Sequence, residues 1–179
     1  MCRNKHLHQG NKMIDITKLD IDLSSIERIL LGTDGSITSI LEILFGEIHI
    51  KLLKQKYGKS SSKMQNIFKS NASLNKRQVM IYAHQTPLMY AKSFCDLSLL
   101  PNKAKEAIEI GKMPIGRVLD YFKIESRREI LSINCKNMNK KYRTLFDCNG
   151  KILMRKYVIY HAQKPLFHIQ EVFVRGALT

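Results

Sequence analysis

No apolar run in the 179 residues is long enough to cross a bilayer, which excludes an ordinary membrane-spanning helix. The first residues, Met1 to Lys12, are polar with no apolar run, so neither a cleavable leader nor an anchor is expected there, and a cytoplasmic location is. Patterned sequence begins at Met13. Residues 1–12 therefore read as a disordered arm, or as a start placed too far upstream, with 13–179 as one domain. Cysteine is scarce and scattered: Cys2, Cys95, Cys135 and Cys148 form no C-x-x-C pair, which argues against a disulfide scaffold in a cytoplasmic chain of this size. Cys135, Cys148, His161 and His168 can be drawn as a zinc site, but their spacings match no common ligand pattern, and no metal is expected. The six histidines are dispersed. None stands with a carboxylate and a nucleophile at a recognised spacing, so covalent catalysis by a Ser/His or Cys/His pair has no support. Acidic residues are few, 15 against 30 lysines and arginines, which leaves a net charge of +15.

What is present is ordinary for a folded domain. Hydrophobic residues at 44% and charged residues at 25% exclude disorder and fibrous repeats, and the length suits a core that needs no staples. The basic excess points to an anionic partner, which composition leaves open among nucleic acid, a membrane surface and a small acidic substrate. Ser24 or Ser25 caps a short helix over Ile26 to Leu31, stopped by Gly32, and Thr38 caps another over Ser39 to Phe45, stopped by Gly46. The pair has the outline of a helix-turn-helix, yet Ile40, Leu41, Ile43, Leu44 and Phe45 leave no basic face to enter a groove. Ile48, Ile50 and Leu52 alternate with His49 and Lys51 as in a half-buried strand. Gly58 to Asn75 is polar and reads as an exposed loop with a little helix around Met64 to Phe68.

Strands are expected over Lys76 to His84 and Leu88 to Cys95, turning at Gln85-Thr86-Pro87. Helices follow from Asn102 to Ile110, ended by Gly111, and from Pro114 to about Tyr121. Arg128 to Cys135 is a further strand, Asn149-Gly150 marks a hairpin, and strands over Ile152 to His161 and Leu166 to Val174 join through Gln163-Lys164-Pro165. Short turns enforce antiparallel pairing. The expected fold class is α+β: a single antiparallel β-sheet with helices at the N-terminus and in the middle.

Strand parity supplies the sharpest signal. Arg77 shares a face with Val79, Ile81 and Ala83, and Glu171 shares one with Phe167, Ile169 and Phe173. Two charges on apolar faces need partners, since an isolated buried charge costs several kcal/mol or neutralises. Either Arg77 and Glu171 pair with each other or reach solvent at strand ends, or they face a pocket whose ligand brings a negative group to Arg77 and a polar group to Glu171. Pro114 adds a helix start at which the amides of Ile115 and Gly116 lack helical partners. Arg155 and Lys156 flank the inner face of their strand and read as solvated charges, with a contact to a ligand carboxylate as the alternative. Arg127 and Arg128 read as surface or strand-end charges beside Glu129. Tyr90, Tyr121, Phe122, Tyr157 and Phe173 read as core or half-exposed aromatics rather than a base-stacking platform.

Five short motifs in order, Gly32-Thr33-Asp34-Gly35-Ser36-Ile37-Thr38, Arg77-Gln78-Val79, Ala91-x-Ser93, Pro114-Ile115-Gly116-Arg117 and Glu171-Val172-Phe173, resemble the chorismate pyruvate-lyase family, in particular its archaeal-type branch. The resemblance implies a small antiparallel sheet with helices around an enclosed site, and cofactor-free conversion of chorismate to 4-hydroxybenzoate and pyruvate for an aromatic-derived, methanopterin-like coenzyme. It implies Arg77 on the ring carboxylate, Glu171 at the ring oxygen, and main-chain groups at Ile37 and Ile115 completing the site. The implied partner is the small molecule chorismate, with neither nucleic acid nor membrane. A binding module of similar fold, the effector-sensing domain of GntR-type transcription regulators, is the competing reading, although the winged helix that would precede it is not evident.

Overall fold

The computed structural model describes residues 16, 19, 21–69 and 73–178; the arm expected at 1–12 lies outside the described residues. The antiparallel pairing expected from short turns is realised in one six-stranded sheet of order β1-β2-β3-β6-β5-β4. In chain order the elements are α1 (Ser25–Gly32), α2 (Ile37–Phe45), β1 (Ile48–Lys59), α3 (Ser62–Phe68), β2 (Ser73–Ala83) and β3 (Thr86–Cys95), then α4 (Asn102–Ile110), α5 (Ile115–Tyr121), β4 (Arg127–Asn137), α6 (Lys140–Phe146), β5 (Lys151–His161) and β6 (Lys164–Val174). The second six repeat the first six. α3 begins at Ser62 and α6 at Lys140, and β2 begins at Ser73 and β5 at Lys151, so both pairs of elements stand at one and the same offset along the chain. At that offset Ile37 matches Ile115, Arg77 matches Arg155, and Tyr82, Pro87 and Leu88 match Tyr160, Pro165 and Leu166. Lys92 and Gln170, also equivalent, pair directly across the β3–β6 ladder, so the two halves are related by a pseudo-twofold axis at the centre of the sheet.

The inner face of the sheet is covered by α1 and α2 on one side and by α4 and α5 on the other. Leu30, Leu31, Ile37 and Leu41 pack on Ile81, Met89, Leu153 and Phe173, while Ala104, Ile108, Val118 and Leu119 pack on Tyr157, Ile159, Phe167 and Ile169. Ser24 caps α1 through a reciprocal capping box with Glu27, whose other oxygen accepts the Gly176 amide at 2.9 Å and so fastens the first helix to the end of β6. The cap of α2 is Ser36 rather than Thr38, because the helix begins at Ile37.

The outer face holds the largest departures from the sequence reading. The little helix expected around Met64 to Phe68 is α3, but the described residues on either side are not loop: β1 continues to Lys59, β2 begins at Ser73, and α3 buries Met64 and Phe68 against Leu74 and Phe94. Its twin α6 is a helix beyond those expected; Asn139 caps it, and Tyr142 and Phe146 join Met80, Tyr90 and Val172 in a second outer cluster. Asn149-Gly150 consequently lies between α6 and β5 and makes no hairpin. The true hairpins turn at His84-Gln85 and Ala162-Gln163, earlier than expected, with positive φ at His84, Ala162 and Gln163. Pro87 and Pro165 fall inside the following strands, opposite Tyr82 and Tyr160 at register shifts, where a missing N–H costs little of the ladder.

His168 lies on this outer face under α3, 5% exposed, with its ring beside Phe94 and Nδ1 without a partner. Burial, reinforced by Lys63, Lys156 and Lys92, pushes its pKa down to about 4, so the folded protein holds it neutral. The unfolded chain takes up that proton near the ordinary value of about 6.5. Stability is therefore expected to fall as pH drops from about 6.5 towards 4. His168→Leu should flatten that part of the urea-midpoint profile relative to the parent protein, whatever its effect at neutral pH.

Candidate active site

Two adjacent rows of inward-facing side chains form the floor of a cavity. One row runs across the strands as Arg77, Ser93, Ile169 and Tyr157; the next runs as Val79, Ala91 and Glu171, with Arg155 following Glu171 in register behind the lining. In these two rows β3 supplies the small side chains Ala91 and Ser93, which leaves room above the centre of the sheet, and Met89 of the same strand lines the cavity farther along. The helix starts of α2 and α5 form the roof, through Ser36, Ile37, Pro114, Ile115 and Gly116. The free cavity is small, about 50 Å³; the 550 Å³ of empty space between floor and roof includes open solvent at its mouth. It sits on the pseudo-twofold axis, so Ile37 and Ile115 face it from equivalent positions at the first turns of α2 and α5. Amides at a first turn have no intrahelical acceptor. The roof is closely fitted: a Cβ on Gly116 would stand 2.6 Å from Ser36 Oγ. An Arg117–Glu42 ion pair ties α5 to α2 outside it.

Arg77 and Arg155 are repeat equivalents, and both are buried, but their surroundings differ. Arg77 is 2% exposed, and its Nη2 donates to the carbonyls of Gly111 at 2.6 Å and Met113 at 3.1 Å, which fixes the head under the loop before α5. Its Nε is buried without a partner, and among the described residues no carboxylate lies within ion-pair distance of it. Burial pushes its pKa down to about 10, so Arg77 remains a cation at neutral pH. The mutual Arg77–Glu171 pair considered from the sequence does not form.

Glu171 pairs instead with Arg155, and this corrects the reading of Arg155 as a solvated charge. Arg155 is fully buried; its Nε donates to Glu171 Oε2 at 2.5 Å, and its Nη1 donates to the carbonyls of Leu30 and Thr33, each at 2.8 Å. Those carbonyls belong to the last turn of α1 and its C-cap, which lack helical donors. Burial opposes the Arg155 charge, but the Glu171 carboxylate outweighs it and holds the guanidinium above its ordinary pKa. The Tyr157 hydroxyl donates to the other carboxylate oxygen, Oε1, at 2.8 Å. Complete burial and the neighbouring carboxylate raise the Tyr157 pKa far above its usual value, so the hydroxyl keeps its proton. The parity rule that locates Arg77 and Glu171 also puts Arg155 inward, with Leu153, Tyr157 and Ile159; length and charge make a solvated reading attractive where a buried one is correct.

Arg128 corrects a second expectation. Rather than a strand-end surface charge, it is a half-buried residue lining the cavity, with its Nη1 on the Asp34 carbonyl at 3.1 Å. Arg127 does form the expected exposed pair with Glu129. Cys135, Cys148 and His168 are divided among different clusters on the two faces of the sheet, and among the described residues no group of three or more His, Cys, Asp or Glu side chains is placed to hold a metal ion.

Removing the Arg155 head should leave Glu171 buried without its cation. Arg155→Met is expected to lower stability by about 3–5 kcal/mol, and Arg155→Met with Glu171→Gln to recover much of that loss. Urea unfolding of the two single variants and the double variant measures the coupling as a cycle.

A family model described as "Chorismate pyruvate-lyase Rv2949c-like" matches residues 31–178. The chain is 34% identical over 175 residues to "Putative lyase MJ0807" of Methanocaldococcus jannaschii, an alignment covering 92% of this chain and 88% of that one. Among solved structures, the effector domain of PhnF from Mycobacterium smegmatis aligns with a TM-score of 0.64 at 9% identity, over 79% of this chain and 89% of that one. The Bacillus subtilis "possible transcriptional regulator YydK" aligns with a TM-score of 0.62 at 11% identity, over 78% of this chain but only 63% of that one, so less than two thirds of its length is represented here. These structures share the fold. No helix among the described residues is long and apolar enough to cross a membrane. The span of the family match, together with the identity to the archaeal relative, shows that the chain belongs to the Rv2949c-like chorismate pyruvate-lyase family.

Proposed function

We propose that the chain converts chorismate to 4-hydroxybenzoate and pyruvate without a cofactor, in the biosynthesis of an aromatic-derived coenzyme. The observation that carries this reading is Arg77: a buried cation that has no carboxylate partner among the described residues and that lines the cavity between floor and roof, in a chain of this family. A guanidinium matches a carboxylate with two parallel hydrogen bonds, and the substrate's ring carboxylate supplies one. The amides at the starts of α2 and α5, at Ile37 and Ile115, add donors to the same bound anion.

The chemistry asks for little beyond placement. The bond between ring carbon C3 and the ether oxygen breaks, and its electron pair leaves with the enolpyruvate. A proton leaves C4, and the cyclohexadiene becomes aromatic. The enolpyruvate gains a proton and becomes pyruvate, so one substrate gives two products with no redox change. Because aromatisation drives the step, the protein contributes positioning and stabilisation of the charge on the departing oxygen. Glu171, with Arg155 and Tyr157 donating to both of its oxygens, is set to accept a hydrogen bond from the 4-hydroxyl and to orient the ring. The same pocket in a purely sensing module would bind the ring and leave the ether intact.

Purified protein given chorismate is expected to release 4-hydroxybenzoate and pyruvate in equal amounts with no added metal, at a rate that EDTA leaves unchanged. Folded protein that binds 4-hydroxybenzoate but releases neither product would be a sensing module instead. Arg77→Ala should lower kcat/KM by about a hundredfold or more, as expected for a lost charge-assisted pair. Glu171→Gln should lower kcat while preserving the shape of the pH–rate profile; loss of one limb would assign Glu171 a proton-transfer step.

A further inference from the structure

The cavity is built on a pseudo-twofold axis, so its two ends would be alike if the halves had stayed alike. Three pairs of lining positions that are equivalent in the repeat differ sharply in chemistry: Ser93 against Glu171, Val79 against Tyr157, and Ile50 against Arg128. All three polar replacements fall on the second-half side. One end therefore holds Arg77 in otherwise neutral surroundings. At the other, Arg155 is neutralised by Glu171, Tyr157 caps the carboxylate, and Arg128 stands at the wall. Arg77, Arg128 and Arg155 against the single carboxylate of Glu171 leave two positive charges around the cavity. Among the described residues no carboxylate lies within ion-pair distance of Arg128, whose Nη1 meets only a main-chain carbonyl.

We infer that Arg128 is the second anion-binding group of the site and holds the carboxylate of the enolpyruvyl side chain, so that the cavity recognises a dianion by its two ends. This inference rests on the chorismate reading given above. With the ring carboxylate at Arg77 and the ring hydroxyl at Glu171, the side chain on the neighbouring ring carbon projects towards the second-half wall, where Arg128 is the cation without an acidic partner. After cleavage that carboxylate leaves with pyruvate. Arg128 thus distinguishes substrate from the aromatic product, which keeps only the carboxylate at Arg77. Because Arg128 also holds the Asp34 carbonyl, it acts on the turn that leads into α2, and the test must separate that structural contact from a direct contact with ligand.

Two uncleavable aromatic probes make the separation: 3-(carboxymethoxy)-4-hydroxybenzoate, which carries both carboxylates, and 3-methoxy-4-hydroxybenzoate, which lacks the second. Dissociation constants are measured by titration calorimetry at two fixed salt concentrations, which exposes any preference that arises only from the protein's net charge. The parent protein is expected to bind the dicarboxylate about tenfold or more tightly than the methoxy compound, in line with a charge-assisted contact. Arg128→Gln should abolish that preference while changing the methoxy affinity by less than about threefold, and Arg128→Lys should restore part of it. In turnover, Arg128→Gln should raise KM for chorismate while inhibition by 4-hydroxybenzoate stays near its parent value. An unchanged preference in Arg128→Gln, or an equal loss for both probes, would overturn the inference and leave Arg128 as a support for the turn, with the lyase reading intact. Failure of folded parent protein to bind either probe would overturn the reading of Arg77, and the dianion inference with it.

Discussion

The buried pair of Arg155 and Glu171 is the constraint on which the rest of the site depends. Burying either charge alone is costly, and the chain offsets that cost by pairing them and adding partners: Glu171 receives Arg155 and Tyr157, and Arg155 reaches the carbonyls at the end of α1 through Nη1, while its Nη2 is left without a partner among the described residues. One guanidinium thereby joins β5, β6 and the turn that leads into α2. The position of Ile37 in the roof follows from the same contacts that set the geometry of Glu171 on the floor. A change at this pair is felt by fold and site together.

The internal repeat explains why the site has this form. In each half an arginine on the middle strand reaches across to the loop before a helix of the other half: Arg77 to Gly111, and Arg155 to Thr33, whose carbonyls are themselves repeat equivalents. The two halves therefore hold each other at the axis, and a cavity between them follows once β3 carries small side chains there. A symmetric cavity has no preferred direction. Glu171, placed where the first half has Ser93, neutralises one of the twin arginines and leaves the other free to accept a ligand anion. Direction in the site comes from that single difference in charge, reinforced by Tyr157 and Arg128.

Much of the frame is legible in local sequence. Turn residues and period-two segments locate all six strands, and the inward parity of Arg77 and Glu171 points to a polar interior. What fails does so for identifiable reasons. Residues 58–75 look like a loop because serine and lysine dominate them, and the apolar residues that make α3 are few; α6 has the same character. Asn149-Gly150 has the chemistry of a hairpin, but α6 separates the strands that such a hairpin would join. The repeat is faint in the sequence because the halves share backbone requirements at turns and core positions rather than a long identical stretch. Arg155 and Arg128 escape a local reading because a charged residue on a strand gives no sign of the helix end or cavity it will meet.

Sequence alone determined the six strands and the helices at the N-terminus and in the middle, the antiparallel sheet and the presence of two charges on apolar faces, since periodicity, caps and turn chemistry act over a few residues. Their partners were decided only in the tertiary structure. Glu171 meets Arg155 rather than Arg77 because β5 and β6 are adjacent in register while β2 lies beyond β3, and Arg77 has no carboxylate partner among the described residues for the same reason. Strand order, a property of the whole chain, fixes which charges cancel and which remain to bind, because electrostatic pairing acts over a few ångströms of space and not along the sequence.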